Sequence, residues 1–181
     1  MSIINLAGMN VSENSYRRAR EIVDGKNLAP GTQKTRQGVL DSIRQMMPDW
    51  TVTTNKSDWG DGHRNLEVGE GILQRMADDP EAMVRYKALI LELEDIAPVI
   101  EEWKEKPENE GKTFEFKISM EDGNITRAKG IVRTLMGGEI RTTFDLPNNQ
   151  ATRWADIIRQ KLESLNEGQT EDAYGERSWM G

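Results

Sequence analysis

The chain has 181 residues, enough for one domain of ordinary size with room for tails. Its 36% apolar and 30% charged residues suit a soluble protein, and a net charge of −7 argues against a main task of binding nucleic acid or an anionic membrane. It contains no cysteine, which excludes disulfides, thiolate metal sites and a cysteine nucleophile and fits a reducing compartment.

No basic-then-apolar signal segment opens the chain and no apolar run reaches membrane-spanning length, so the expected location is the cytoplasm. Residues 1–35 hold short apolar spots at Ile3, Ile4 and Leu6, then Arg17, Arg18 and Arg20, then the breaker run Asn27 to Gly31. This pattern is read as a flexible N-terminal segment, with a short helix over 13–23 as the alternative. Thr35 is placed to cap a helix over 36–47, whose Val39, Leu40, Ile43, Met46 and Met47 share a face, and Pro48 ends it.

Trp50, Val52 and Thr54 alternate with Thr51 and Thr53 as in a strand half-buried on the Trp50 side. A second alternating piece, 65–68, is expected to pair with it antiparallel across a polar loop. Gly69 and Gly71 interrupt the extended pattern, and Ile72, Leu73 and Met76 then fall at helical spacing up to Asp78.

Residues 79–103 form the longest periodic apolar run. Asp79 can cap the first free N–H groups, Pro80 suits the first helical position, and Glu81 suits the positive end of the dipole. Met83, Tyr86, Ile90, Leu93, Ala97 and Ile100 recur at steps of three and four, broadened by Leu89, Ile96 and Trp103, so this helix is expected to line the core. Pro98 should kink or break it near Ile96 and Ala97.

Phe114, Phe116, Ile118 and Met120 then alternate with polar residues in a strand with one buried face. A three-residue turn at Glu121-Asp122-Gly123 would set Ile118 opposite Thr126, Phe116 opposite Ala128 and Phe114 opposite Gly130. After Gly130 the apolar phase moves to odd numbers, which predicts a bulge there and aligns Ile131 and Leu135 with Phe144 and Ile140 across Gly137-Gly138. Pro147 ends this hairpin, Asn148 or Asn149 would cap a last helix carrying Trp154, Ile157, Ile158, Leu162 and Leu165, and 167–181 reads as a flexible C-terminal tail. The expected architecture is α+β: a small antiparallel sheet of hairpins on a long central helix and flanking helices, folded as one domain over 36–166.

The order of these pieces from Leu40 to Val132 resembles an uncharacterised domain-of-unknown-function family of Gram-positive bacteria. The resemblance is carried by Pro48-Asp49-Trp50-Thr51-Val52, by Asn65-Leu66-Glu67-Val68, by Ile72-Leu73-Gln74-Arg75-Met76-Ala77-Asp78-Asp79-Pro80-Glu81 running on to Tyr86, and by Glu121-Asp122-Gly123-Asn124. Its best motif is a helix corner, so it implies a fold and no activity. That family tends to place an aromatic shortly after the hairpin, where this chain has none between Ile125 and Val132.

Candidate chemistry concentrates in Asp58-Trp59-Gly60-Asp61-Gly62-His63, which holds two carboxylates and the only histidine. Asp58, Asp61 and His63 are the catalytic candidates, although a polar turn is the expected reading and no metal or cofactor is expected. Gly60-Asp61-Gly62 and Gly69-Glu70-Gly71 lack the spacing and lysine of a phosphate loop. Glu92, Glu94, Asp95, Glu101, Glu102 and Glu105 are expected on a solvated helix face.

The expected function is a non-enzymatic interaction or accessory domain of a bacterium with an unknown protein partner. The alternative is a carboxylate/His-based hydrolase-like enzyme, with or without a divalent metal, using the Asp58–His63 loop. Trp179 and Phe144 are the partner-binding candidates. The last helix is expected to cover the edge of strand 139–146, which makes a monomer the expectation.

Overall fold

The computed structural model describes residues 3–6, 8–24, 35–55, 64–121, 125–149 and 153–167. The fold is α+β, with a two-stranded hairpin and a five-stranded sheet beside a layer of helices. No helix among the described residues is long and apolar enough to cross a membrane.

The N-terminal expectation is corrected first. Strands β1 (Ile3–Leu6) and β2 (Met9–Ser12) form an antiparallel hairpin, and α1 (Glu13–Asp24) follows at once. Met9, Val11 and Ala19 belong to the main core, and α1 packs along the central helix. At the rim of this docking Arg18 pairs with Glu94 at 2.5 Å and Arg20 reaches Glu81 at 3.4 Å, while Arg20 also meets Asp24 of its own helix at 3.3 Å. Such exposed pairs contribute little each. The apolar contacts of Val11 and Ala19 carry the attachment.

Helix α2 (Arg36–Met46) starts as its sequence predicts, with Thr35 Oγ1 accepting from the Gly38 amide at 2.9 Å. Strands β3 (Thr51–Thr53) and β4 (Arg64–Val68) do pair, but parallel, with Val52 opposite Leu66. Strand β4 is also parallel to β5 (Thr113–Met120). The physical reason for this correction is burial: Asn65, Leu66, Glu67 and Val68 are all buried, so β4 is an inner strand covered on both faces rather than one arm of a surface hairpin. The sheet order is β3-β4-β5-β6-β7, and only β5, β6 (Ile125–Arg133) and β7 (Glu139–Pro147) form the expected antiparallel meander.

The connection from β4 to β5 carries the middle helices. Gly69 opens α3 (Glu70–Asp78), its amide donating to the Met120 carbonyl at 2.8 Å. In α4 (Pro80–Leu91) the Asp79 carboxylate accepts from the Glu81 amide at 2.9 Å, as expected for this cap. Nine of its 12 residues are buried, including Ala82, Val84 and Leu91 off the predicted stripe, so α4 is enclosed rather than one-faced. The helix then tightens into a 3-10 turn, Glu92–Asp95, before α5 (Ile96–Glu105). This break lies one turn before Pro98, where the proline ring crowds the Glu94 carbonyl and removes a donor.

The inner sheet face meets this layer through aromatic contacts. Trp103 on α5 packs edge-on to Phe114 at 5.9 Å, Trp50 meets Phe116 at 6.4 Å, and Phe116 stacks on Phe144 at 5.6 Å. The strand registers differ from expectation in detail. Phe116 lies opposite Gly130 and Ile118 opposite Ala128, two residues along from the predicted pairing, a shift that leaves every side chain on its expected face.

Between β6 and β7 the predicted bulge is absent: pairing is continuous, with Ala128 opposite Phe144 and Val132 opposite Ile140. Ile131 is instead buried on the opposite face, and Leu135 and Met136 stand at the turn, 83% and 95% exposed. Helix α6 (Trp154–Glu167) begins after Arg153, whose carbonyl accepts from the Asp156 and Ile157 amides, so neither Asn148 nor Asn149 is its cap. It buries Trp154, Ala155, Ile158 and Leu162, packing on α5 and the 3-10 turn.

Gly130 sits where the rings crowd the backbone. A Cβ there would lie 2.7 Å from Phe114 Cζ and 3.1 Å from Phe144 Cε2. Gly130→Ala is therefore expected to destabilise the fold by about 1–3 kcal/mol despite relieving the chain entropy of glycine. Urea unfolding measures this, and a neutral or stabilising result would show that the rings move aside freely.

Candidate functional site

Asp58, Asp61, His63 and Trp179 lie outside the described residues. Phe144 does not present its side chain to a partner: it is 4% exposed and stacked between the sheet and the helices. Its candidacy is corrected to a core position because the β7 register turns all even-numbered side chains inward. Among the described residues, no group of three or more His, Cys, Asp or Glu side chains is gathered as a metal site.

The acidic stretch after α4 is only partly the solvated face expected of it. Glu92 is buried and lies at the N-terminus of α1. Ser12 caps that helix, its Oγ accepting from the Ser15 amide at 3.1 Å. The Ser12 amide donates to Glu92 Oε1 at 3.2 Å, while Ser12 Oγ and Ser15 Oγ donate to Oε2 at 3.0 and 2.5 Å. The Arg153 guanidinium approaches the same oxygen at 3.5 Å and also pairs with Asp95. A carboxylate among helix N-terminal donors is favoured by the dipole and by charge-assisted hydrogen bonds. The arrangement can therefore hold the N-terminal hairpin, the 3-10 turn and the start of α6 together. Sequence periodicity missed it because its donors, Ser12 and Ser15, look like surface residues.

A different kind of site lies along β7. In the turn before it, the Thr134 amide donates to the Gly138 carbonyl at 2.9 Å, and the Gly137 amide, with Gly137 at φ +84°, donates to the Thr134 carbonyl at 3.1 Å. Thr134 and Gly138 thus form the closing hydrogen-bonded pair. Antiparallel pairing alternates bonded and non-bonded pairs, so the even residues of β7 bond to β6 while Glu139, Arg141, Thr143 and Asp145 point their backbone groups out of the sheet. Among the described residues no backbone group bonds to the outward amides of Thr143 and Asp145. Helix α6 reaches β7 at its far end, where Trp154 Nε1 donates to the Pro147 carbonyl at 2.8 Å.

The outer sheet face beside this edge is polar. Glu115 pairs with Arg133 at 2.7 Å and Lys117 at 3.7 Å, and Ser119 Oγ donates to Glu67 at 2.5 Å. Next to them lies an open depression of about 530 Å³, lined by Lys117, Ser119, Arg127, Lys129, Thr143 and Asp145. The odd-numbered side chains of β7 are thus displayed on a solvent-facing surface with their backbone groups turned outward.

Lys87, in the middle of α4, is the other unusual group. It is 0% exposed, its ammonium has no hydrogen-bond partner among the described residues, and burial lowers its pKa from 10.5 to about 8. Its neighbours at helical spacing are Met83, Val84, Ile90 and Leu91, all buried. Below pH 8 both the folded and unfolded chains carry the proton, so the folded state bears the full cost of an enclosed charge. Between pH 8 and 10.5 the unfolded chain binds more protons than the folded one, so stability rises with pH. Lys87→Met is accordingly expected to stabilise the protein by about 3 kcal/mol at pH 7, with the advantage fading toward pH 10.5. Urea titrations at several pH values check both the size and the slope. A destabilised variant would show that the amine is needed where it lies.

No protein-family model matches the chain, and no curated protein or solved structure matches it.

Proposed function

We propose that the chain is a non-enzymatic interaction or accessory domain of the bacterial cytoplasm, and that it meets its protein partner by strand pairing at β7. The observation that carries this reading is the edge itself: nine residues in continuous register, with outward amides at Thr143 and Asp145 and no lysine, bulge or internal proline to blunt it. Long edges of this kind are usually protected, because they template pairing with another chain. The opposite edge, β3, is three residues long and offers little to pair with. The cytoplasmic and bacterial parts of the reading draw on the cysteine-free, acidic composition and on the family resemblance of residues 40–132.

Amide hydrogen exchange tests this directly. In the isolated protein at low concentration, the amides of Thr143 and Asp145 are expected to exchange rapidly while those of Thr142, Phe144 and Leu146 are protected by β6. Slow exchange of Thr143 and Asp145 in a monomer would place a cover from the same chain over the edge and overturn the proposal.

A further inference from the structure

We infer that the strand pairing with β7 is β7 of a second copy of the same chain, antiparallel about a two-fold axis through Thr143. This inference rests on the open edge proposed above and names its occupant. Closed two-fold dimers require a surface that complements itself, with residue i meeting j and j meeting i. The outer-face side chains of β7 read Glu139, Arg141, Thr143 and Asp145, and only some registers place them favourably.

Centring the axis on Arg141 opposes two arginines, and centring it on Asp145 opposes two aspartates. Centring it on Thr142 sets Glu139 against Asp145. Centring it on Phe144 leaves Arg141 opposite Pro147 and Asp145 opposite Thr143. With Thr143 on the axis, Arg141 faces Asp145 twice and Thr143 faces Thr143. Opposite charges and paired threonines are both favourable directly across strands, while like charges are unfavourable.

The backbone agrees with this register. Arg141, Thr143 and Asp145 are residues whose N–H and C=O groups point outward, so each would form a hydrogen-bonded pair, about six bonds in all. The next pair on either side, Glu139 with Pro147, ends the ladder, since proline has no amide and the Pro147 carbonyl already accepts from Trp154. On the inner face Ile140, half-buried in one copy, would meet Leu146 of the other, and Thr142 would meet Phe144. Asp145 is exposed, with Arg127 opposite it on β6, and Arg141 is held within its own strand by Glu139, so across the axis it would share its guanidinium between Glu139 and the second copy's Asp145. The two five-stranded sheets would become one continuous sheet, and neither copy would keep β7 as an edge.

Light scattering coupled to size exclusion, over a range of concentrations, measures the mass of the full chain. A dimer is expected, and Thr143→Pro should reduce it to a monomer without unfolding, because proline is tolerated where an edge amide faces outward. Asp145→Arg should weaken the dimer about tenfold or more by opposing two arginines, and the double exchange Arg141→Asp with Asp145→Arg should restore it to within about threefold.

A single-chain mass at every concentration overturns the self-pairing, as does a dimer indifferent to Thr143→Pro and the charge exchanges. If that single chain still exchanges the Thr143 and Asp145 amides rapidly, the edge remains the proposed interaction surface and only the identity of its occupant is wrong. If those amides are protected, both readings fall.

Discussion

The break between α4 and α5 is the constraint on which the rest of the molecule depends. Pro98 prevents the enclosed helix from running straight on, and the four residues before α5 tighten into the 3-10 turn Glu92–Asp95. Glu92 is thereby aimed at the first turn of α1, where the Ser12 amide and the Ser12 and Ser15 hydroxyls bind it, and Arg153 approaches from the start of α6. Three segments far apart in sequence converge on one carboxylate. Removing that carboxylate would leave buried donors without an acceptor, which costs more than the hydrogen bonds themselves are worth. The same turn presents Glu94 to Arg18 and Asp95 to Arg153, so one short element anchors both ends of the described fold.

How much of this was legible follows the range of the interactions involved. The starts of α2 and α4 were readable at Thr35 and at Asp79-Pro80 because a cap is satisfied within three residues. The buried faces of β5 and β7 were readable because alternation is local, and the two-residue slip between β5 and β6 kept that alternation intact. The direction of β3 against β4 was not readable, since it depends on β4 being inserted beside β5 after a long helical excursion. The N-terminal hairpin was missed for a different reason: Met9 and Val11 are isolated apolar residues in a polar stretch, and the other anchors, Ser12, Ser15 and Ala19, do not stand out in a hydropathy pattern. The apparent phase change after Gly130 misled because Ile131 is buried on the outer face, where apolar residues were not expected.

The candidate site was legible only as a strand, never as an edge. Phe144 drew attention as an apolar residue in a sparsely charged stretch, yet it is part of the aromatic stack with Phe116. What the strand offers outward is backbone, and that depends on which member of each pair bonds to β6, a fact set by the turn geometry at Thr134 and Gly138. No composition or periodicity reports it.

Electrostatics also separates the two unusual interior groups. Glu92 lies in company, at a helix N-terminus with hydroxyl donors and a guanidinium nearby, and so contributes specificity to the docking of α1. Among the described residues Lys87 has no such company, and its burial pushes the amine toward the neutral form. An enclosed α4 tolerates that defect because the residues around it, from Met83 to Leu91, supply enough apolar burial to hold the helix in place. The stability of the centre therefore rests on packing, while the periphery adds one well-served carboxylate to the apolar contacts of Val11 and Ala19. That division leaves the far side of the sheet, at β7, free of any role in holding the core closed beyond its inward-facing side chains.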